Sequence, residues 1–431
     1  MRTVEDTRPQ RELAVDYYRV SGVVLIVFGH WLLSCVTYHD GSFGLQDPLA
    51  DVAWTRWLTW PLQAVPVFFL AAGYASAVSW GHWRDSGRMS RQTWVRHRLA
   101  RALGPTGAYL AFVSAVILIL AAAGVSGTVL QYAGWAVAMQ LWFLAVYVVV
   151  VYLTPIAVAA QRRCGLWAAA LLGLGVVAMD LLSLVGHVPY VSWLNYLFCW
   201  GALYQLGISW QAGQLTRRTA IGLGAVSAVA LGLLVGVGPF PVAMISVNGQ
   251  TIQNSSPPSM AMLAFACTQT GIAVALAPAL NRLLRGQRVQ RVLSVANTNV
   301  MALYLWHMVP VVIVAVVVYP AGLMPQPPEN SIDWWLARGL WIAILTVVTA
   351  VEMLLLYRLR RIVAAPLPAV TVPGGPAGTE VTMLIGVAMA SYGITFVAAR
   401  GFAPDGHFPW HSMVIFAIGA ALVALTPRPQ R

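Results

Sequence analysis

The stretch Arg19–His30, RVSGVVLIVFGH, sets an arginine and a histidine eleven residues apart in an otherwise apolar run. Eleven residues is close to three turns of helix, so both side chains fall on one face, separated by roughly 16 Å along the axis. In a hydrocarbon core about 30 Å thick, an arginine at one edge puts the histidine near the midplane. Ionisable groups at that depth are expensive, and by default they mark a functional site.

The rest of the chain is built for such a core. It has 431 residues, 59% of them hydrophobic and 9% charged, where a soluble domain averages about a quarter charged. Apolar runs of spanning length recur near residues 17–38, 58–80, 99–123, 136–156, 164–186, 189–208, 218–238, 258–280, 293–319, 335–357, 380–399 and 409–426. These predict an all-α, polytopic helical membrane protein with twelve spans. The short alternating segments of an outer-membrane barrel are absent.

A net charge of +12 invites a nucleic-acid partner, but its distribution argues against one. All 26 basic residues are arginine, and they sit in alternate loops between the apolar runs. Arg84, Arg88, Arg91, Arg96 and Arg98 follow the second run, Arg162 and Arg163 the fourth, Arg217 and Arg218 the sixth. Arg282, Arg285, Arg288 and Arg291 follow the eighth, and Arg358, Arg360 and Arg361 the tenth. The opposite loops hold almost no arginine, which predicts both termini inside. Tryptophans near the run ends, such as Trp54, Trp57 and Trp60, suit the interfacial belt. Cys35, Cys164, Cys199 and Cys267 are scattered, with no metal or disulfide spacing. The first run is too long for a signal-peptide core and lacks a cleavage motif after it, so it is expected to stay as the first span. A Pro/Gly-rich stretch, 363–379, reads as a flexible connector between ten spans (10–362) and a two-helix C-terminal extension (380–431).

Several constellations can carry chemistry. Asp16 and Arg19 are an i,i+3 pair at the inner edge, and His30 lies deeper. A midplane imidazole is costly to charge, which favours the neutral form needed for proton abstraction. The competing reading is a topogenic arginine and a helix-packing histidine. In the ninth run, Tyr304 and His307 follow Asn297, and His307 sits at a depth similar to that of His30. Whether the two share a cavity is left open. Arg96, Arg98 and Arg101 enter the third run from the inner side, and arginine forks fit phosphate well. They are candidates for a phosphorylated cofactor such as coenzyme A, or else plain positive-inside anchors. Asp180 and Glu352 are intramembrane acids, which transporters also use in proton relays. Asn254 and its neighbours suit a helix cap. Asp405, His407 and His411 have no supporting acid cluster, and no metal is expected.

Together these residues resemble the membrane-bound acyltransferase family 3, the bacterial sugar and glycan O-acyltransferases. The family's opening signature appears as Arg11, Asp16, Arg19 and His30. Phe68-Phe69 through Gly73-Tyr74 is similar to its second-span motif, with alanine at the usual serine. RHRLARALGP, ending at Pro105, Trp142-Phe143-Leu144, and Tyr304 with His307 match its later motifs. The resemblance covers residues 10 to about 360 and implies a ten-helix core, a cytoplasmic acyl-CoA donor and a hydroxyl acceptor. The expectation is an inner-membrane O-acyltransferase that moves an acyl group, acetyl foremost, from acyl-CoA to a sugar, glycan or glycolipid hydroxyl. His30 is expected as general base or transient acyl carrier, with Arg19 and Asp16 positioning the donor. The alternative is a transporter or exporter of a lipid or glycan. No fused SGNH-type hydrolase domain follows the core, so the membrane domain or a separate partner would complete transfer.

Overall fold

The first helix begins on a side chain from another helix. In the computed structural model, which describes residues 12–87, 90–372 and 375–427, α1 spans Leu13–Leu33. Asn281 accepts from the Ala14 amide at 2.8 Å and donates to the Glu12 carboxylate, supplying a partner that a helix N-terminus lacks. The Tyr18 hydroxyl donates to the Ala273 carbonyl at 2.6 Å. Arg11 and Arg88 lie outside the described residues.

The helices that follow are α2 (Val65–Asp85), α3 (Arg91–Ala122), α4 (Gly127–Ala136), α5 (Leu141–Cys164), α6 (Trp167–Leu184) and α7 (Asn195–Gln211). Next come α8 (Arg217–Gly236), α9 (Met260–Leu283), α10 (Gln287–Trp306), α11 (Val309–Val318), α12 (Ile332–Arg358), α13 (Pro376–Arg400) and α14 (Trp410–Ala424). Among the described residues, nine helices are long and apolar enough to cross a membrane, or ten if α10 and α11 form one broken span. Each predicted run is helical, but two of the twelve fall short of that length. At 17 and 15 residues, α7 and α14 reach only about 26 and 23 Å by the helical rise, less than the hydrocarbon thickness. Outward faces are apolar, with Val226, Leu233, Val347 and Leu354 exposed, while Gln140, Gln161, Asp180 and His307 are buried inside. That is the inverse of a water-soluble surface, and the chain is a multi-pass membrane protein.

Close backbone approach explains one of the sequence motifs. A Cβ on Gly73 would lie 2.0 Å from the Tyr204 carbonyl oxygen, and one on Gly207 would lie 2.0 Å from that of Leu70. The glycines let α2 and α7 pack backbone to backbone, the usual use of small residues between membrane helices. Phe69 stacks on Trp200 beside that crossing.

At the Ser34 end of α1 the chain builds a cover. The hairpin β1 (Val36–His39) and β2 (Ser42–Leu45) is antiparallel. Gln326 grips it from a Pro-rich loop, accepting from the Tyr38 amide and donating to the Tyr38 carbonyl. The segment before α9 is stitched to the chain before α2: Trp60 donates to the Val242 carbonyl, Gln63 to that of Met244, and the Met244 amide donates to Thr59.

The connector departs from expectation. It is laid against α3, where the Leu367 amide donates to the Ala100 carbonyl at 3.0 Å. A Cβ on Gly104 would lie 2.1 Å from the Ala365 carbonyl, so only glycine leaves room for it. Beyond that point β3 (Val370–Val372) pairs in parallel with β4 (Leu425–Pro427). The α13–α14 pair packs on α5, with Ser391 donating to the Ala145 carbonyl.

Candidate active site

The site forms where one helix stops. Pro310 has no amide hydrogen, and its ring clashes with the carbonyl four residues back, that of Trp306. Helix α10 therefore ends at Trp306, and α11 leaves at 52°. His307 sits in the break. Several carbonyls freed there find side-chain donors, as non-helical backbone at membrane depth requires. Gln140 Nε2 donates to Leu305 at 3.2 Å. Trp31 Nε1 donates to His307 at 2.9 Å. The Tyr304 carbonyl lies 2.8 Å from His307 Nδ1.

His30 and His307 meet. His30 Nδ1 lies 2.9 Å from His307 Nε2, and the two rings are inclined by 15°. The geometry orders the protons. A carbonyl only accepts, so His307 Nδ1 carries hydrogen and donates to Tyr304. In a neutral imidazole the other nitrogen is then an acceptor. His307 Nε2 consequently takes a hydrogen bond from His30 Nδ1–H, and His30 Nε2 is left with its lone pair. His307 is fully buried, whereas His30 keeps part of its surface accessible. This arrangement leaves one imidazole nitrogen of His30 free of the pair and its ring held by a second imidazole.

The other predicted residues divide into groups. Asp16 Oδ1 accepts from Asn297 Nδ2 at 2.6 Å, a second polar rung between α1 and α10 below the histidine pair. Arg19 lies within electrostatic reach of Asp16, Tyr147, Arg98 and Arg101. Three arginines from α1 and α3 thus gather at the Asp16 end. Arg98 donates to Ser76 at 3.2 Å and lies over the Trp94 ring. Arg96 points elsewhere, donating to the Ala424 carbonyl at the end of α14. The Tyr304 hydroxyl is committed to the Gln140 carbonyl, so Tyr304 meets the pair through its backbone carbonyl and its tilted ring. Glu352 lies within electrostatic reach of Tyr109, with one carboxylate oxygen buried and unpartnered among the described residues.

Asp180 is structural. It accepts from Asn195 at 2.7 Å and from the Met260 amide at the start of α9. Asn254 likewise braces its own loop through the Pro241 and Ala243 carbonyls. Among the described residues no three His, Cys, Asp or Glu side chains converge as a metal group. Asp405 approaches Arg400 instead, and His411 packs on Tyr392.

Residue-by-residue reading of the sequence overlooked Trp31, Gln140 and Tyr147. The first two hold the helix break, and their only sequence signal is a polar donor near a histidine or a helix start. Tyr147 stacks on Phe143, which meets Phe68, Phe69 and Tyr304 edge-on or tilted. The phenylalanine of the Trp142-Phe143-Leu144 motif is therefore the centre of an aromatic wall beside the break.

A family model described as an acyltransferase domain matches residues 12–357, ending at α12 and before the connector. No curated protein and no solved structure gives a significant match. The matched span holds both histidines, the arginine cluster and the broken helix, and the activity it implies is group transfer rather than transport. The chain belongs to the acyltransferase 3 family, multi-pass membrane enzymes that transfer acyl groups.

Proposed function

We propose that this protein is an O-acyltransferase of the cytoplasmic membrane, moving an acyl group, acetyl in the simplest case, from acyl-CoA to a hydroxyl of a sugar, glycan or glycolipid. The observation that carries the reading is the directional His30–His307 hydrogen bond, which leaves His30 Nε2 as the base. Arg19, Arg98 and Arg101 would hold the coenzyme's phosphates at the Asp16 end, which the arginine distribution makes the cytoplasmic side. From there to His30 is roughly 16 Å along α1, a span suited to an extended thioester-bearing arm.

In the reaction, His30 Nε2 takes the proton from the acceptor hydroxyl as its oxygen attacks the thioester carbonyl. The tetrahedral intermediate collapses, the carbon–sulfur bond breaks, and the departing thiolate collects that proton from His30. The acceptor keeps the acyl group as an ester and free coenzyme A leaves. His307 keeps the ring aimed while it carries charge, the role that an orienting group plays for other catalytic histidines. Asp16, bonded to Asn297, steadies the arginine end of α1. The α13–α14 pair is an extension that braces α5 and α3.

The test is direct. Purified protein in lipid nanodiscs is given labelled acetyl-CoA with panels of sugars, glycans and glycolipids. Coenzyme A release that depends on one acceptor, with label appearing on it as an ester, is expected. A well-folded protein that neither releases coenzyme A nor labels any acceptor overturns the reading.

A further inference from the structure

Arg338, in α12, is buried inside the Ser34-end cover with a relative exposure of 4%. Among the described residues no carboxylate lies within 4.0 Å of it. Nη1 donates to the Ser34 carbonyl at 3.0 Å and Nη2 to the Tyr319 hydroxyl at 3.2 Å. Among the described residues Nε–H is buried with no acceptor. A guanidinium has five N–H donors; Ser34 and Tyr319 take two, the Cys35 thiol is also within its hydrogen-bond reach, and Nε–H is left over. Trp334 and Trp341 present ring faces at 5.5 and 5.7 Å, which soften the charge without pairing it. A buried cation held this way is costly unless an anion completes it.

The guanidinium lines a cavity of about 260 Å³ with Thr37, His39, Gln46, Tyr319 and Trp334. That volume is a little below the range of drug-sized sites, so it suits one ring or one small polar group, not a whole coenzyme. Glu329 and Asp47 lie within electrostatic reach of Cys35, as does Arg338, so a chain of several phosphates is disfavoured there relative to one oxyanion group. A single oxyanion on the guanidinium fork is the ligand chemistry that fits.

The cavity is tied to the catalytic helix. Ser34 passes its carbonyl to Arg338, and its hydroxyl donates to the His30 carbonyl at 2.6 Å. Four residues separate them, about 6 Å of rise along α1. We propose that this cavity is the acceptor's anchoring subsite, where Arg338 forks onto a carboxylate or phosphate carried beside the hydroxyl that His30 deprotonates. The inference rests on the acyl-transfer reading of His30, and it adds that the acceptor is anionic.

Binding of glucuronate, glucose 6-phosphate and glucose to the full chain in nanodiscs tests it. One of the two anionic sugars should bind about tenfold or more tightly than glucose, the scale of a charge-assisted hydrogen bond. A preference for glucuronate assigns a carboxylate, and one for glucose 6-phosphate a phosphate. Arg338→Gln should erase the preference. Should that variant fail to fold, Arg338→Lys keeps the charge but not the fork, and should weaken the preferred anion severalfold. Equal binding of all three sugars, or a preference untouched in either folded variant, overturns the proposal. Wild-type protein that transfers acyl groups without an anion preference refutes this inference alone. Protein that binds anions through Arg338 but transfers nothing refutes the acyl-transfer reading instead.

Discussion

His307 matters through what it accepts. With Nδ1–H committed to the Tyr304 carbonyl, its Nε2 fixes the tautomer of His30. Replacing His307 with alanine should lower kcat by about 10²- to 10³-fold, the scale of a misdirected general base, with little change in KM for acyl-CoA. His307→Gln, which keeps an acceptor for His30 Nδ1–H, should recover part of that loss; equal defects in the two variants would show that orientation is not its role. A second prediction concerns Glu329, outside the spans. Burial, then the Asp51 and Asp47 carboxylates, hold its carboxyl above the usual carboxylate range. The folded state thus binds this proton more tightly than the unfolded chain, and stability falls as pH rises through the raised pKa. Glu329→Gln should raise the Tm at neutral pH, and the gain should vanish below the ordinary glutamate pKa; a pH-independent difference would contradict this. Sequence spacing set Arg19 and His30 on one face because helical period alone decides it. It could place His307 only at a similar depth, since which helices are neighbours depends on packing between spans. Helical period also puts Arg98 and Arg101 on one face and Arg96 off it, and α3 turns Arg96 to the Ala424 carbonyl and Arg98 to Ser76.

The element that makes the site is the break between α10 and α11. One continuous run, 293–319, was legible as a span, but not its 52° bend, although Pro310 is the residue that causes it. Pro310→Ala restores an amide that can reach the Trp306 carbonyl and removes the ring clash. The joined helix would carry His307 away from His30. The expected result is at least a tenfold fall in acyl transfer, roughly the effect of small misplacement at a reacting centre, with the Tm unchanged or raised. A variant as active as wild type would mean that the bend does not aim the histidine. The connector teaches the converse lesson. Its Pro/Gly content predicts flexibility, yet Gly104 on the neighbouring helix opens a place for it, and that contact has no local signal in residues 363–379.

For the whole molecule, composition sufficed for the class: so few charges in so many apolar runs leave only a helical membrane protein. Arg338 carries no local signal in the sequence, because its buried setting depends on a cover folded from separate segments. The sidedness proposed from the arginine loops can be read with a native probe. Cys164 is exposed beside Arg162 and Arg163, while Cys35 and Cys199 are buried and Cys267 is half-buried. A membrane-impermeant maleimide should label Cys164 in inverted vesicles and leave it unlabelled in right-side-out ones; the opposite pattern would reverse the topology and put the arginine cluster on the wrong side for a cytoplasmic donor. The most direct test of the chemistry is the rate of acyl transfer from labelled acetyl-CoA by purified His30→Ala beside wild type, with matched Tm and acetyl-CoA binding as the check on folding. Transfer should fall to the background rate while acetyl-CoA still binds, and undiminished transfer would show that His30 is not the base.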